Sequence, residues 1–461
     1  VLSEDILGTE RDNFGNNKYT YHPSYRPEYS NSYYGPKEKE LINIKGEKQQ
    51  RVKKEATSNP PLYYLIASLG YKLTANSSLF EKVFTIRLFS SIFLVLTIFT
   101  AHKIGTIIFK NRLYPIVLSA LIAFMPMFVF AQTGILPDPL VNFLFTALIY
   151  FLLKVLEEGS QLKYLILIGV VVFLGTVTRQ HFLLALPITA IVFFYKMHRG
   201  KNLSKFLASI TAVALALFLI EKYLTPYPVI SNFRIPDISI INLNKVTPQS
   251  FLEHLIWTLK HTYSEVLPWY WGVYKWLSLT LPHQYYEVVN RLMLIAGIGV
   301  VIYFGKIVLK RKKPSIFDLQ ITLMILFIVI YYAIFLIWDY FFRIKNGFSF
   351  GVQGRYFFPL IVPTFTIILI GFSQIFQLLK KYKNYGFFLL VALMIFANNY
   401  SLFFVASSYY DISSLDTFIK QASQYKPFFA KGWWLIVVVF LYFLFTLIFS
   451  VQLFKLWRHE K

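Results

Sequence analysis

Asp318-Leu-Gln-Ile-Thr-Leu-Met-Ile-Leu-Phe-Ile-Val-Ile-Tyr-Tyr-Ala-Ile-Phe-Leu-Ile-Trp338 is the stretch that decides the architecture. After its first residue it carries no charge, and coiled as a helix it would reach about 31 Å, the thickness of the hydrocarbon core of a bilayer. No water is available at that depth to satisfy backbone N–H and C=O groups, so a run of this kind must be helical. Outward from it the same pattern recurs. Towards the N-terminus lie apolar runs at 288–309, 204–224, 181–195, 163–178, 139–155, 113–132 and 84–101; towards the C-terminus lie 356–378, 385–404 and 432–454. The alternation that marks a membrane barrel is absent. The expected fold is an all-α polytopic membrane protein with about eleven transmembrane helices.

Composition agrees. Of 461 residues, 56% are apolar and 19% aromatic, while 15% are charged, against about 25% in a soluble domain. The net charge of +23 raises nucleic acid as a partner, but most basic residues sit in short clusters between apolar runs. There are no cysteines, which excludes disulfides and thiolate metal sites. No cleavable signal peptide is visible.

Those basic clusters set the orientation. One set of loops holds Lys103, Lys110, Arg112, Lys154, Lys163, Lys196, Arg199, Lys201, Lys205, Lys306, Lys310, Arg311, Lys312, Lys313, Lys380, Lys381, Lys383, Lys455, Arg458 and Lys461, which is 20 basic residues. The alternate short loops hold Arg179, Arg343, Lys345, Arg355, Lys420, Lys426 and Lys431, which is 7. If eleven spans alternate, the first set falls on one side, and the positive-inside rule makes that side cytoplasmic. The C-terminus is then cytoplasmic, and residues 1–83, 225–287 and 405–431 are extracytoplasmic. Four parts are expected: a first outer loop with interfacial helices at 1–83, N-terminal transmembrane helices at 84–224, an aromatic outer loop at 225–287, and C-terminal transmembrane helices at 288–461. Residue 1 is Val, and a helix before it, running outward, would bring the total to twelve.

Polar side chains at membrane depth are costly and ask for a reason. The outer mouth collects Arg87, Asp138, Arg179, His181, Asp339, Arg343 and Arg355, with Glu253 and Glu265 in the long outer loop. Each alone reads as a snorkelling side chain or a structural ion pair; their gathering on one face points to a site. The segment 225–287 carries Trp257, Trp269, Trp271 and Trp276, half of the eight tryptophans. These form either an aromatic belt at the lipid headgroups or a platform that stacks on sugar rings or packs a lipid chain.

Ser58-Asn-Pro-Pro-Leu-Tyr-Tyr-Leu65 resembles the Pro-Pro-Leu-Tyr-Tyr segment after the first outer loop of GT-C type membrane glycosyltransferases, and a span opened by Arg87-Leu88 follows it. Gly134-Ile-Leu-Pro-Asp-Pro139 resembles their short loop ending in Asp at the head of a helix. Trp271-Gly272, Trp276, the Leu-Pro pair at 281–282, and above all Gly351-Val-Gln-Gly-Arg-Tyr-Phe-Phe-Pro359 are similar to the DUF2142 branch of predicted membrane proteins. The resemblance covers most of the chain in order. It implies a polyprenyl-phosphate-linked sugar as donor and inverting transfer at the outer surface of the plasma (inner) membrane. The acceptor would be a glycan, lipid or protein. It also implies an acidic residue just after a first helix; Glu4 and Asp5 are the adjacent acidic pair nearest that place.

Sugar transfer to a hydroxyl needs a carboxylate to take the proton and cations to meet the departing lipid phosphate. Glu4, Asp5 and Asp138 are the candidate catalytic carboxylates. Arg179, His181, Arg355 and Tyr356 are the candidates for the donor phosphate, and Trp269, Trp271 and Trp276 for a sugar or acceptor platform. No zinc site is expected; a magnesium or manganese ion held by carboxylates is compatible with the composition. Two alternatives stand beside the transferase: a transporter or flippase, and a polymerase or ligase, both for a lipid-linked glycan. A transporter predicts repeated halves with broken helices, and no internal repeat is visible.

Overall fold

The computed structural model describes residues 60–199, 246–274, 279–309, 314–378 and 383–459. Glu4, Asp5, Trp276, the run at 204–224 and the Lys310 to Lys313 cluster lie outside the described residues.

The described chain is helical apart from a two-stranded hairpin, in which β1 (Val273–Tyr274) pairs antiparallel with β2 (Leu279–Thr280), Val273 opposite Thr280. In chain order the helices are α1 (Leu62–Leu73), α2 (Leu79–Ile108), α3 (Leu113–Ala123), α4 (Pro126–Gln132), α5 (Asp138–Glu158), α6 (Leu162–Thr176) and α7 (Leu186–Arg199). They continue with α8 (Pro248–His261), α9 (Leu267–Gly272), α10 (His283–Leu309), α11 (Ile316–Asn346), α12 (Ile361–Gln377), α13 (Lys383–Tyr409), α14 (Leu415–Ala422) and α15 (Trp433–His459). Among the described residues seven are long and apolar enough to cross a membrane: α2, α5, α10, α11, α12 with the 3-10 turn before it, α13 and α15. The protein is an all-α polytopic membrane protein.

The run at 113–132 departs from a single straight span. It breaks at Phe124-Met125 into α3 and α4, which meet at 66°. Pro126 is the cause: it has no N–H to donate back along the helix, and its ring forces the preceding residue out of the helical region. Met125 accordingly takes φ −72°, ψ 112°. The runs at 163–178 and 181–195 form α6 and α7, with a 3-10 turn at Gln180–Ala185 between them. With 15 residues, α6 reaches about 22 Å, short of a full crossing.

Starts are set by side-chain caps. Ser78 and Glu81 cap α2, and Ser315 and Asp318 cap α11, each by a reciprocal pair of hydrogen bonds. These satisfy N–H groups that the first turn leaves without partners.

Burial divides the helices. α5 is apolar all round and forms the centre, with Phe145, Leu148, Ile149 and Leu152 wholly buried. α15 instead exposes Phe440, Phe445 and Leu447, as a lipid-facing helix does. Small residues bring helices together where no hydrophobic force between them operates. A Cβ on Gly299 of α10 would lie 2.0 Å from the Gly371 carbonyl oxygen of α12, and one on Gly371 would lie 2.1 Å from the Ala296 oxygen. This contact sets one wall of the groove described below.

Candidate functional site

Asp138 opens α5 and Arg179 ends the α6 hairpin, 41 positions apart in sequence, yet Arg179 Nη1 lies 2.6 Å from Asp138 Oδ1. Both side chains are mostly buried, at 24% and 18% exposed. A carboxylate and a guanidinium drawn out of water each need the other. His181 is half-buried in the 3-10 turn that follows Arg179. Above them, α1 is tied down by Leu62 N–H donating to the Val177 carbonyl at 3.2 Å, and by a 2.7 Å bond between the Tyr63 and Ser90 hydroxyls. The Pro-Pro-Leu-Tyr-Tyr string thus anchors the edge of the Asp138 loop. Arg87 donates from Nε to the Thr133 carbonyl at 3.0 Å and fixes the other edge.

Tyr331 joins this pair to the Gly351–Pro359 string. Its ring is wholly buried in α11, edge-on to Phe145, within electrostatic reach of both Asp138 and Arg179. Its hydroxyl donates to the Tyr356 carbonyl at 3.0 Å. The ion pair and the string therefore meet around one buried side chain of α11.

The string itself is an irregular three-residue segment followed by a 3-10 turn, Gly354–Leu360. Arg355 is half-buried, its guanidinium carbon 5.7 Å from the Tyr356 ring. Gly351 adopts φ +75° with open space where a Cβ would be. Gly354 differs. A Cβ there would lie 2.2 Å from Tyr270 N, 2.5 Å from the Val266 carbonyl oxygen and 2.7 Å from Trp269 C. Room for a phosphate at Gly354 is thus taken by the backbone of residues 266–270, and its lack of a side chain serves packing.

The segment that seats Gly354 runs through α8, a π-helical turn at Thr262–Val266, and α9. The Trp257 ring is stacked on His261 at 4.8 Å and 10°, with His254 on its other side at 6.1 Å. His254 is buried against the C-terminal part of α11, with Nε2 3.3 Å from the Leu336 carbonyl and 3.7 Å from Asp339 Oδ2. Burial pushes His254 below the ordinary histidine pKa, against the opposing pull of Asp339. The folded state thus favours neutral His254, while the unfolded chain takes up a proton as pH falls through about 6.5. Stability is expected to be highest above that pH and to decline below it. Melting of wild type and His254→Phe at pH 7.5 and pH 5.5 checks this; equal losses in both would contradict it.

Trp269 stands edge-on to His261. Trp271 is buried, edge-on to Phe365. It lines an apolar groove of about 380 Å³ between α10, α12 and α13. From Gln284 and Tyr285 the lining continues through Val288, Leu292, Met293, Ile368 and Met394. Over the nine steps from Gln284 to Met293 the groove follows α10 for about 14 Å.

Among the described residues no group of three or more His, Asp or Glu side chains converges to hold a metal ion. Sequence reasoning passes over Tyr331 and the α8 histidines. Their signal was the spacing His254, Trp257, Thr258, His261, Glu265, which lies along one face of a helix.

The Asp138–Arg179 pair has a testable cost. Asp138→Ala leaves a guanidinium partly buried without its carboxylate, with a loss of about 2–3 kcal/mol, at the low end for buried pairs because both ends keep some solvent. The double variant Asp138→Asn, Arg179→Gln is expected to recover most of that. If the two residues serve only as an ion pair, activity returns with stability. If either takes part in the transfer, stability returns alone.

A family model described as "Predicted membrane protein (DUF2142)" matches residues 22–364. No curated protein sequence matches the chain. Among solved structures, the oligosaccharyltransferase AglB of Archaeoglobus fulgidus, in complex with an inhibitory peptide and a dolichol-phosphate, is similar at 16% identity. That match covers 85% of this chain and 52% of that one, with a TM-score of 0.46. ArnT of Cupriavidus metallidurans bound to undecaprenyl phosphate is similar at 12% identity, covering 76% of this chain and 59% of that one, with a TM-score of 0.40. The chain spans about half the length of the AglB structures it matches.

Proposed function

We propose that this chain, which belongs to the DUF2142 family of predicted membrane proteins, is a membrane glycosyltransferase that moves a sugar from a polyprenyl-phosphate-linked donor to an acceptor at the extracytoplasmic face. One observation carries the reading. Arg179 with Asp138 lies on one side of buried Tyr331 and the Arg355-Tyr356 backbone on its other side, beside the segment whose Trp271 lines a long apolar groove. A lipid-linked sugar phosphate has those parts in that order: an isoprenoid chain for the groove, a phosphate for the arginines, and a sugar towards water.

In this reading the acceptor oxygen attacks the anomeric carbon as the bond to the phosphate oxygen breaks. The electron pair leaves on the lipid phosphate, and a carboxylate takes the acceptor proton. Guanidinium forks stabilise the charge that grows on the phosphate. Asp138 is one candidate base; Glu4 and Asp5 are the others that the resemblance supplies. Were a divalent ion to take part, those two acids are the residues the resemblance would assign to it.

The donor class is tested by photo-crosslinking with a diazirine-bearing polyprenyl phosphate in liposomes. Adducts are expected at Leu292, Met293 and Met394; adducts confined to the outer faces of α2 and α15 would count against the groove. The proposed face is tested separately. With no native cysteine, a single Phe348→Cys is expected to react with an impermeant maleimide in intact cells and Lys312→Cys to be protected. The reverse pattern would invert the orientation.

A further inference from the structure

The stretch 350–356 is held at every second position, at its two ends by α11 and between them by α8 and the turn that leads into α9. The Phe350 N–H donates to Asp339 Oδ1 at 2.7 Å. The Val352 carbonyl accepts from His261 Nε2 at 3.2 Å. Gly354 is seated flush on the backbone of residues 266–270, and the Tyr356 carbonyl accepts from Tyr331. Val352 and Gly354 are buried, while Gly351, Gln353 and Arg355 between them are only half-buried. The anchored positions are fixed from within the fold, and the side chains of the positions between them keep partial exposure.

Two of these holds come from side chains that are themselves constrained. Asp339 is 1% exposed, and its second oxygen faces buried His254. His261 is fixed by its parallel stack on Trp257, which leaves its Nε2 aimed at Val352. Neither residue belongs to the Asp138–Arg179 pair or to the groove. Burying a carboxylate and an imidazole to order one segment of backbone is costly, and is understandable if the geometry of that segment matters. We propose that His261 and Asp339 are positioning residues, which fix the 350–356 backbone so that Arg355 meets the donor phosphate already oriented. The proposal rests on the lipid-phosphate reading above.

Two measurements on His261 variants separate the proposal from that reading. His261→Phe keeps the ring and its stack on Trp257 but removes the donor to Val352; His261→Gln keeps a side-chain N–H at similar reach. The first measurement is binding of undecaprenyl phosphate to the purified protein. His261→Phe is expected to weaken it about five- to tenfold, the worth of one hydrogen bond, with melting unchanged, and His261→Gln to restore most of the loss. The second is the maleimide reaction rate of a single Gln353→Cys, which needs no ligand. That rate is expected to rise several-fold in the His261→Phe background and to return in His261→Gln. An unchanged maleimide rate at position 353 overturns the positioning role whatever the ligand. Unchanged lipid affinity, in a protein that binds the lipid, overturns its link to the phosphate. A wild type that binds no undecaprenyl phosphate, with the maleimide rate still raised in His261→Phe, sinks the lipid-phosphate reading and keeps the structural hold.

Discussion

Replacing Arg355 with lysine is expected to lower sugar transfer about a hundredfold while the protein keeps its fold. Lysine preserves the charge but loses the planar fork that matches two phosphate oxygens at once, and losing one aligned donor to a developing anion costs about 10²–10³ in rate. Arg355→Ala is expected to fall further. The bland alternative makes Arg355 a structural partner of Asp339 or Glu265. Asp339 already accepts the Phe350 N–H and faces His254, and Glu265 lies 3.8 Å from His261. A structural pair would show as lost stability, recovered by neutralising the partner carboxylate. A phosphate clamp would show as lost turnover at unchanged melting temperature. Full transfer by a well-folded Arg355→Ala protein would end the clamp.

The second large effect is at Gly354. A single added methyl meets three backbone atoms at 2.2, 2.5 and 2.7 Å, and backbone cannot swing aside as a side-chain end can. Gly354→Ala is expected to cost about 3 kcal/mol, the upper part of the range for overpacking. It should also lift the 3-10 turn off α9, carrying Arg355 out of register. Gly351→Ala is the control. It meets no atom, and its cost is the left-handed backbone at φ +75°, about 1–2 kcal/mol. If Gly354 is a packing seat, its variant is the less stable of the two and loses more activity. A Gly354→Ala protein as stable as wild type would contradict the seat.

Much of this was legible in the residues, and the reasons differ by level. The spans were legible because a bilayer demands long uncharged helices, and runs such as 318–338 meet that demand alone. The break at Met125 was legible in principle, since Pro126 sits mid-run; the unbroken hydropathy around it concealed the bend. Asp138 and Arg179 were placed at one mouth by counting spans, but hydropathy does not encode that they touch. Tyr331 looked like one more aromatic in an apolar helix, because its function is a hydroxyl aimed at a carbonyl 25 positions away. Asp339 was visible as a polar residue, but its hold on Phe350 was hidden for the same reason, as was that of His261, which meets Val352 across 91 positions; no local period reports such a contact. The seat of Gly354 was hidden by the same gap. Its lack of a side chain was plain, and what filled the space was not.

The measurement that tests the central claim most directly is the fate of the sugar–phosphate bond. Purified protein in liposomes would be given a polyprenyl-phosphate-linked sugar labelled in the sugar, with candidate acceptors supplied on the extracytoplasmic side. The account predicts loss of the sugar from the lipid to an acceptor, release of free polyprenyl phosphate, and neither with Arg355→Ala. A wild-type protein that carries the intact lipid-linked sugar across the bilayer, without ever breaking that bond, would contradict it.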